Sequence, residues 1–299
     1  MIIDGKAISE ELLEELKLKI QNAKQFSKAK QPGLVFVLVG EHPPSHSYVS
    51  MKAKACEKVG IKSTIVRYPE RVDQNKLQEE IQKLNQDPLI HGILVQLPLP
   101  DHIDSYQIME TIDPKKDVDG FNPINMGKLI LGQTDGFFPC TPEGILILLQ
   151  KAKVNTQGKN IVILGRSNIV GKPLAALLMQ KATYGNATVT LLHSQSVNIK
   201  KHCKEADILI AAIGQPGFIK RDMVKQDAVI IDVGINFVDD LSVAKKYRIV
   251  GDVDFDAVQD LCSAITPVPK GVGPMTIALL LIHTWKSFCK LNSIPKQYH

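Results

Sequence analysis

The chain has 299 residues and a formal net charge of +5, with 44% hydrophobic and 22% charged residues, which suits a globular protein with room for two domains. The basic excess is spread along the chain and only 5% of the residues are aromatic, so the composition argues against a nucleic-acid-binding surface. No apolar run approaches the roughly 18 residues of a membrane span. Asp4 and the acidic residues between 10 and 15 lead us to expect no signal peptide.

The cysteines favour a reducing compartment. Their number is odd and they form no C-x-x-C pair, so the sequence supports neither a disulfide framework nor a zinc site. They are Cys56, Cys140, Cys203, Cys262 and Cys289. We therefore predict a cytoplasmic protein.

The first part of the chain alternates predicted helices and strands. A helix is predicted over residues 9–28, because Ser9 can cap it and its apolar residues recur on one face. The segments that follow are strands at 34–39, 61–67 and 92–96 and helices at 45–59 and around Leu77, Ile81 and Leu84. This βαβ alternation predicts a mainly parallel sheet covered by helices.

A second series follows an irregular stretch over residues 114–142 that is rich in Gly, Pro, Asp and Asn. Its members are strands at 161–164, 187–192, 207–213 and 228–233 and a helix at 170–181. After another Gly- and Pro-rich segment at 266–274, a helix at 275–290 is apolar on most faces and is predicted to pack back on the first domain.

These segments predict an α/β fold with two domains. The first is an N-terminal βαβ domain over residues 1–138, completed by the C-terminal helix region at 275–299. The second is a Rossmann-like dinucleotide-binding domain over residues 139–274.

The strand at 161–164 runs into a glycine turn, Gly165-Arg-Ser, and then a helix beginning near Gly171. Backbone N–H groups at such a helix start can hold phosphate. The spacing G-x-S-x-x-x-G departs from the usual G-x-G-x-x-G, because Ser167 stands at the second glycine. The segment fits either a cofactor turn or a plain strand-to-helix turn.

Two residues bear on the choice of dinucleotide. An acidic residue at the end of the second strand would bind the ribose 2′-hydroxyl of NAD. Here that strand ends at Leu192-His-Ser194, and Arg166 lies in the glycine turn. Arg166 and Ser194 suit a 2′-phosphate instead, so NADP is favoured over NAD.

Tyr48 and Lys52 are four residues apart and share a predicted helix face. A partly buried lysine can have a lowered pKa and act as an acid or base near neutrality. A solvated surface pair is the other interpretation. Gln96 ends an apolar strand, where ligands bind in open α/β sheets, and it either orients a ligand or caps the strand end.

Two further segments are rich in turn-forming residues. Lys116-Asp-Val-Asp119-Gly does not complete an EF-hand, and its carboxylates fit either an Asx-type turn or N–H groups of a heterocyclic ligand. In Thr266–Thr276, two glycines lie among three prolines, which favours a rigid loop that lines a ligand or enters a helix.

Together and in this order, these motifs resemble the bifunctional methylenetetrahydrofolate dehydrogenase/cyclohydrolase family over nearly the whole chain. The most specific segments are Tyr48-x-x-x-Lys52, Val95-Gln-Leu-Pro-Leu-Pro100, Lys116-Asp-Val-Asp-Gly120, Pro139-Cys-Thr-Pro142, Gly165-Arg-Ser-Asn-Ile-Val-Gly171 and Gly271-Val-Gly-Pro-Met-Thr276. One residue departs from the pattern. The family loop usually has Pro-Gly-Gly-Val-Gly, and Lys270 replaces its first glycine. If that position needs a positive φ, Lys270 is strained.

The resemblance implies two reactions and no metal. NADP+ oxidises 5,10-methylenetetrahydrofolate to the 5,10-methenyl compound, which water then opens to 10-formyltetrahydrofolate. Lys52 is the implied general acid/base, held by Tyr48 and Gln96, while Asp119 binds the pterin ring. Val95, Leu97, Pro269, Gly271, Val272 and Gly273 are implied to line the folate, and Gly165, Arg166, Ser167, Gly171, Ser194 and Ile235 to contact NADP. A homodimer is also implied.

Two alternatives stay open. Another Rossmann oxidoreductase of the shikimate dehydrogenase type also places its substrate domain before its cofactor domain. A nucleotide-binding regulator without catalysis is the second alternative. Neither accounts jointly for Tyr48, Lys52, Gln96 and Asp119.

Overall fold

The computed structural model describes residues 1–23, 31–240 and 247–295. Internal contacts divide the chain into two units. One consists of Glu10–Phe138 with Ile277–His299, and we call it the lysine unit because it contains Lys52. The other consists of Met1–Ser9 with Pro139–Thr276, and we call it the glycine-turn unit because it contains Gly165.

Helices and strands alternate along most of the described chain. The helices are α1 (Gly5–Ala23), α2 (Pro43–Val59), α3 (Gln74–Gln86), α4 (Ser105–Thr111), α5 (Pro123–Ile130), α6 (Cys140–Lys151), α7 (Gly171–Met179), α8 (Ile199–Glu205), α9 (Phe255–Val258) and α10 (Val272–Leu291). The strands are β1 (Gly33–Val39), β2 (Lys62–Tyr68), β3 (Gly92–Val95), β4 (Asn160–Leu164), β5 (Thr188–Leu192), β6 (Ile208–Ala211), β7 (Val229–Asp232), β8 (Asn236–Asp239), β9 (Tyr247–Val250) and β10 (Ala264–Ile265).

The lysine unit contains a three-stranded parallel sheet in the order β2-β1-β3. All seven residues of β1 are buried, as expected for a central strand covered on both faces. Helix α10 packs on this unit, since Ser287 Oγ donates to the Lys115 carbonyl at 2.7 Å and His283 Nδ1 lies 2.9 Å from the Val118 carbonyl. This confirms the predicted packing of the C-terminal helix on the first domain.

The glycine-turn unit contains a five-stranded parallel sheet in the order β10-β7-β6-β4-β5. Strand β4 therefore pairs with β5 on one side and with β6 on the other. The direction of strand addition reverses at β4, which makes the position between β4 and β6 the topological switch point of the sheet. The first residues of the chain extend the β10 edge, where Ile3 N donates to the Ile265 carbonyl at 2.8 Å.

Several predicted boundaries are wrong. The stretch at 114–142 contains α5, because Asn122 caps a helix there by accepting from Ile124 N at 2.9 Å. Strand β6 ends at Ala211 instead of residue 213, since the N–H of Ile213 bonds to the Asp252 carboxylate and not to a neighbouring strand. The first helix begins at Gly5, and residues 24–28 of its predicted range lie outside the described residues.

The antiparallel pair β8–β9 was not predicted.

Within the described ranges, none of the helices has both the length and the apolar character needed to cross a bilayer.

Candidate active site

Lys52 and Gln96 meet at the carboxyl edge of the sheet in the lysine unit. Lys52 lies on α2, whose Val49 and Cys56 are buried, and is itself half-buried. Its Nζ donates to Gln96 Oε1 at 3.0 Å. The two residues are 44 positions apart in the sequence, so the fold creates the pair.

Gln96 is oriented by its own surroundings. Its backbone N–H donates to the Val37 carbonyl at 2.9 Å, which attaches it to the end of β1. Its side-chain Nε2 donates to the Leu97 carbonyl at 2.7 Å. Because Nε2 is used in this way, Oε1 is left to face the lysine ammonium. Val95, the last residue of β3, is buried directly before this group.

Tyr48 and Cys56 lie one turn to either side of Lys52 on α2. Tyr48 is half-buried and shares the helix face of Lys52 at i, i+4. Burial raises the pKa of the Cys56 thiol to about 12, with the Lys52 charge acting in the opposite direction. Cys56 therefore remains a neutral thiol near neutral pH.

The segment from Lys116 to Gly120 contains two charged residues that hold the fold, Lys116 and Asp117, and one candidate ligand contact, Asp119. The buried Asp117 carboxylate accepts from Asn122 N and from Asn125 Nδ2, both at 2.8 Å. It also accepts from Gly120 N at 3.1 Å and Phe121 N at 3.2 Å, so it folds the loop around itself. Burial raises the pKa of Asp117. Asp119 is half-buried on the loop that this carboxylate holds.

Lys116 has a role that the sequence did not reveal. Its buried Nζ donates to the carbonyls of Asn85 and Asp87, both at 2.7 Å, and so caps the end of α3. Burial lowers the pKa of this lysine. No local pattern signalled the contact, because the carbonyls come from a helix about 30 residues earlier.

The loop before α10 has an unusual backbone. Lys270 has a φ of 85° and an exposed side chain, so a lysine occupies the left-handed region that glycine adopts without strain. A Cβ on Gly271 would lie 2.4 Å from the Pro267 carbonyl oxygen, so glycine is required there. Pro269 is exposed, whereas Val272 is buried at the start of α10 and Gly273 follows it within the first turn.

The turn after β4 needs both of its glycines. Gly165 has a φ of 111°, and a Cβ there would lie 2.1 Å from the Ala212 carbonyl oxygen. A Cβ on Gly171 would lie 1.9 Å from the Gly165 carbonyl oxygen. The backbone therefore approaches itself too closely for side chains at these two positions, in a strand–glycine–helix turn of the kind that binds a dinucleotide phosphate.

Ser167 contributes to this turn in an unexpected way. Its Oγ accepts from Val170 N at 3.1 Å and from Gly171 N at 3.4 Å, so it holds the backbone that leads into α7. Arg166, beside it, is exposed. A hydroxyl at the second glycine position is therefore compatible with the turn because it satisfies N–H groups of the helix start.

Ser194 and Ile235 follow β5 and β7 at the same edge of this sheet. Ser194 is exposed in a turn that His193 N closes by donating to Ser196 Oγ at 3.0 Å. Ile235 is 44% exposed although it is aliphatic. With the glycine turn after β4, three strand ends carry the predicted cofactor residues. The residues 193–195 include no acid, as the sequence indicated.

Two buried acids lie at this edge, and the sequence did not assign either of them a role. Asp232 ends β7, and Asp252 lies after β9. Asp232 accepts from Asp252 N at 2.9 Å and from Val253 N at 3.0 Å. Burial raises the pKa of Asp232 to about 6. Among the described residues, His, Cys, Asp and Glu form no group of three able to hold a metal ion.

The structure therefore unites part of the predicted site. Tyr48, Lys52, Gln96 and Asp119 belong to the lysine unit, within which Lys52 and Gln96 are bonded. The loop at 269–273 and all predicted cofactor residues belong to the glycine-turn unit.

A parallel sheet with a glycine turn at its switch point, together with a lysine–amide pair at the carboxyl edge of a second parallel sheet, defines a dinucleotide-binding α/β enzyme. A comparison with models of known protein families identifies the particular family. The tetrahydrofolate dehydrogenase/cyclohydrolase catalytic domain matches residues 3–119, and the NAD(P)-binding domain of the same family matches residues 139–292. The chain belongs to the tetrahydrofolate dehydrogenase/cyclohydrolase family.

Individual relatives are similar to this chain over nearly its whole length. The chain is 53% identical to the bifunctional protein FolD of Chlorobium phaeobacteroides, over 98% of this chain and 99% of that protein. It is 47% identical to the bifunctional dehydrogenase/cyclohydrolase of Campylobacter jejuni, with a TM-score of 0.90 over 97% and 99% of the two chains. The Trypanosoma brucei enzyme, solved with NADP and an inhibitor, is 37% identical with a TM-score of 0.91 over 97% of each chain.

A more distant structural similarity bears on the first alternative, an oxidoreductase of the shikimate dehydrogenase type. Shikimate 5-dehydrogenase of Thermus thermophilus is 15% identical with a TM-score of 0.51, over 87% of this chain and 94% of that one. At this identity the likeness shows a shared fold alone. The family, the enzyme class and the two-domain α/β fold predicted from the sequence are confirmed.

Proposed function

We propose that this chain oxidises 5,10-methylenetetrahydrofolate with NADP+ and hydrolyses the resulting 5,10-methenyl compound to 10-formyltetrahydrofolate. The observation that carries the proposal is the hydrogen bond from Lys52 Nζ to Gln96 Oε1 at 3.0 Å. It holds a half-buried ammonium at a sheet edge where ligands bind, in the family whose members are dehydrogenases and cyclohydrolases.

Oxidation makes small demands on side-chain chemistry. Loss of a hydride leaves a cation that the two folate nitrogens stabilise, so no base is required. NADP+, when bound, accepts the hydride. The chain's contribution is to position both reactants, and positioning of this kind lowers barriers through orientation.

Hydrolysis requires proton transfers that Lys52 provides. Water must lose a proton when it adds to the methenyl carbon, and a ring nitrogen must gain one when the C–N bond breaks. Lys52 performs both transfers as general acid and base. Gln96 is bonded to its Nζ, and Tyr48, on the same helix face, is assigned to hold it as well. A cationic substrate beside the ammonium favours the neutral amine, which is the form that removes a proton from water.

Asp119 binds the pterin. Its carboxylate accepts from ring N–H groups, a charge-assisted contact that fixes the ring's orientation. The Asp117 carboxylate supports this role by ordering the loop through four donors. The remaining folate contacts are Val95, Leu97, Pro269, Gly271, Val272 and Gly273.

NADP is proposed over NAD because of the residues around the glycine turn. Arg166 is exposed there, and Ser194 rather than an acid follows β5. A guanidinium and a hydroxyl attract a 2′-phosphate, whereas a carboxylate would repel it. Gly165, Ser167, Gly171 and Ile235 complete the proposed cofactor contacts.

The test mixes purified protein with 5,10-methylenetetrahydrofolate and either NADP+ or NAD+, and follows the reduced nicotinamide and the methenyl compound together. NADP+-dependent reduction without lasting methenyl accumulation is expected. Persistent methenyl would leave a dehydrogenase alone and contradict the role of Lys52. Absence of reduction with both cofactors, from folded protein, would overturn the proposal.

The setting of the enzyme follows from the same proposal. We place it in the cytoplasm as a homodimer that acts on tetrahydrofolates, without a nucleic-acid or membrane partner. Its proposed domains are residues 1–138 with 275–299 for folate and residues 139–274 for NADP. Light scattering coupled to size exclusion tests the dimer, since a mass near 33.0 kDa would exclude it.

A further inference from the structure

The loop that follows β6 borders the switch point of the sheet, although no sequence motif singled it out. Ala212 N donates to the Leu164 carbonyl at 2.8 Å, which fixes the start of the loop against the end of β4. The Ala212 carbonyl then occupies the space that a Cβ on Gly165 would need. Because ligands bind outside the carboxyl ends of strands at a switch point, this loop flanks the proposed dinucleotide position.

One buried carboxylate fixes the backbone of this loop. Asp252, with no exposed surface, accepts from Ile213 N at 2.7 Å, Gly214 N at 3.0 Å and Gln215 N at 2.9 Å. Three successive N–H groups converging on one anion form a nest. Here the anion is a side chain of the same protein, so the loop conformation is set before any ligand arrives.

The same carboxylate reaches the loop after β7. Asp252 Oδ1 also accepts from Asn236 Nδ2 at 2.9 Å. On the other side of Ile235, Gly234 N donates to Asp232 at 3.0 Å, and Asp232 in turn accepts from Asp252 N. The two acids therefore hold Ile235 from both sides and connect it to the loop after β6.

We propose that Asp252 is a positioning residue for the dinucleotide, which orders the loop at 213–215 and Ile235 as one binding edge next to Gly165. The inference rests on the proposed function, because that function defines which ligand the edge receives. It goes beyond it in giving Asp252 the role of ordering the loop at 213–215 together with Ile235.

The experiment compares Asp252→Asn with Asp254→Asn. An amide at position 252 has one accepting oxygen, and its NH2 group would face N–H donors of the loop. Asp254 is a matched control two residues away, since it accepts from Lys220 Nζ at 2.9 Å on the surface. Each variant is assayed for the KM and kcat of the NADP+ reaction, and for hydrolysis of the methenyl substrate without cofactor.

For Asp252→Asn we expect the KM for NADP+ to rise about tenfold or more, with kcat and cofactor-free hydrolysis within about threefold of wild type. Asp254→Asn should leave all three unchanged. A parallel loss of both activities would show a merely structural role, and an unchanged KM would overturn the proposal outright. Failure of the proposed function is distinct, because wild type would then lack the activities.

Gly214→Ala is the second variant, used in case Asp252→Asn does not fold. Gly214 has a φ of 66° and open space around its Cβ position, so alanine disturbs only the backbone of the loop. A raised KM for NADP+ with normal cofactor-free hydrolysis is expected. An unaltered KM in this folded variant would exclude the loop from the cofactor site.

Discussion

Lys52 is the residue on which the two proposed reactions differ. In Lys52→Met the proton transfers of hydrolysis lose their acid/base, whereas hydride transfer keeps its positioned reactants. We expect methenyl hydrolysis to fall by about 10²-fold or more, with hydride transfer still measurable. Stopped-flow absorbance of the methenyl compound and of NADPH distinguishes the two steps. Lys54→Met, an exposed lysine of the same helix, serves as the control, and equal loss of both activities in Lys52→Met would refute the assignment.

Arg166 is predicted to discriminate between the two dinucleotides. Removing a charged contact to the 2′-phosphate in Arg166→Ala should raise the KM for NADP+ by about tenfold or more, while the KM for NAD+ changes by less than about twofold. Lys159→Ala removes an exposed cation just before β4, at the opposite end of that strand, and should affect neither. A common shift of both KM values in Arg166→Ala would show that the guanidinium does not bind the 2′-phosphate.

Lys270 illustrates strain at a single residue. At a φ of 85°, its Cβ is crowded by the backbone, and glycine relieves this. Lys270→Gly should therefore raise the free energy of unfolding by about 0.5–1 kcal/mol, after the added chain entropy of glycine is subtracted. Urea denaturation followed by circular dichroism measures it. Lys115 is an exposed lysine whose φ is not positive, so Lys115→Gly should instead lower the free energy of unfolding.

At the scale of elements, His91 connects β1, β3 and the end of α10. Gly33 N donates to His91 Nδ1 at 3.0 Å, and Asn292 Nδ2 lies 3.1 Å from Nε2. The ring is buried and packs edge-on against Phe288 at 4.8 Å between centroids. Burial, aided by the Lys116 charge, lowers the pKa of His91 to about 4. The neutral ring is therefore the form that holds these elements together.

This pKa predicts an acid-sensitive contact. Between pH 6.5 and 4 the unfolded chain binds a proton that the folded chain does not, so stability falls as the pH falls through this window. At pH 5 the loss from this group is about 2 kcal/mol relative to pH 7. Urea unfolding at both pH values should show a smaller drop in His91→Asn, whose amide oxygen can still accept from Gly33. His102→Asn changes an exposed histidine and should show the same loss of stability between pH 7 and pH 5 as the wild type.

The elements also show where pattern succeeds and where it fails. Central strands such as β1 and β4 were predicted closely because an apolar run ending in glycine is a local signal. Helix α5 was missed although Asn122 and Pro123 are local signals of a helix start, because the surrounding stretch is rich in Gly, Pro, Asp and Asn and was predicted to be irregular. The end of β6 was misplaced because Asp252, 39 residues later, takes over the N–H of Ile213.

For the molecule as a whole, cofactor binding should stabilise the fold measurably. NADP+ that binds only the folded protein, at 100 times its Kd, should add about 2.7 kcal/mol to the free energy of unfolding. Chemical denaturation followed by far-UV circular dichroism, with and without NADP+, measures this. NAD+ at the same concentration should add much less, and an equal effect of the two would contradict the predicted preference.

The sequence by itself determined the family, the α/β class and most of the candidate site residues. These depend on local signals, such as glycines that allow close approach and apolar runs that form buried strands. Only the tertiary structure decided that Gln96 holds Lys52, that Asp117 and Lys116 are structural, and that Asp252 orders the loop after β6. The physical reason is that each of these is a contact of a buried or half-buried polar group with partners elsewhere in the fold. Burial obliges such a group to find a partner, but only folding determines which one it finds.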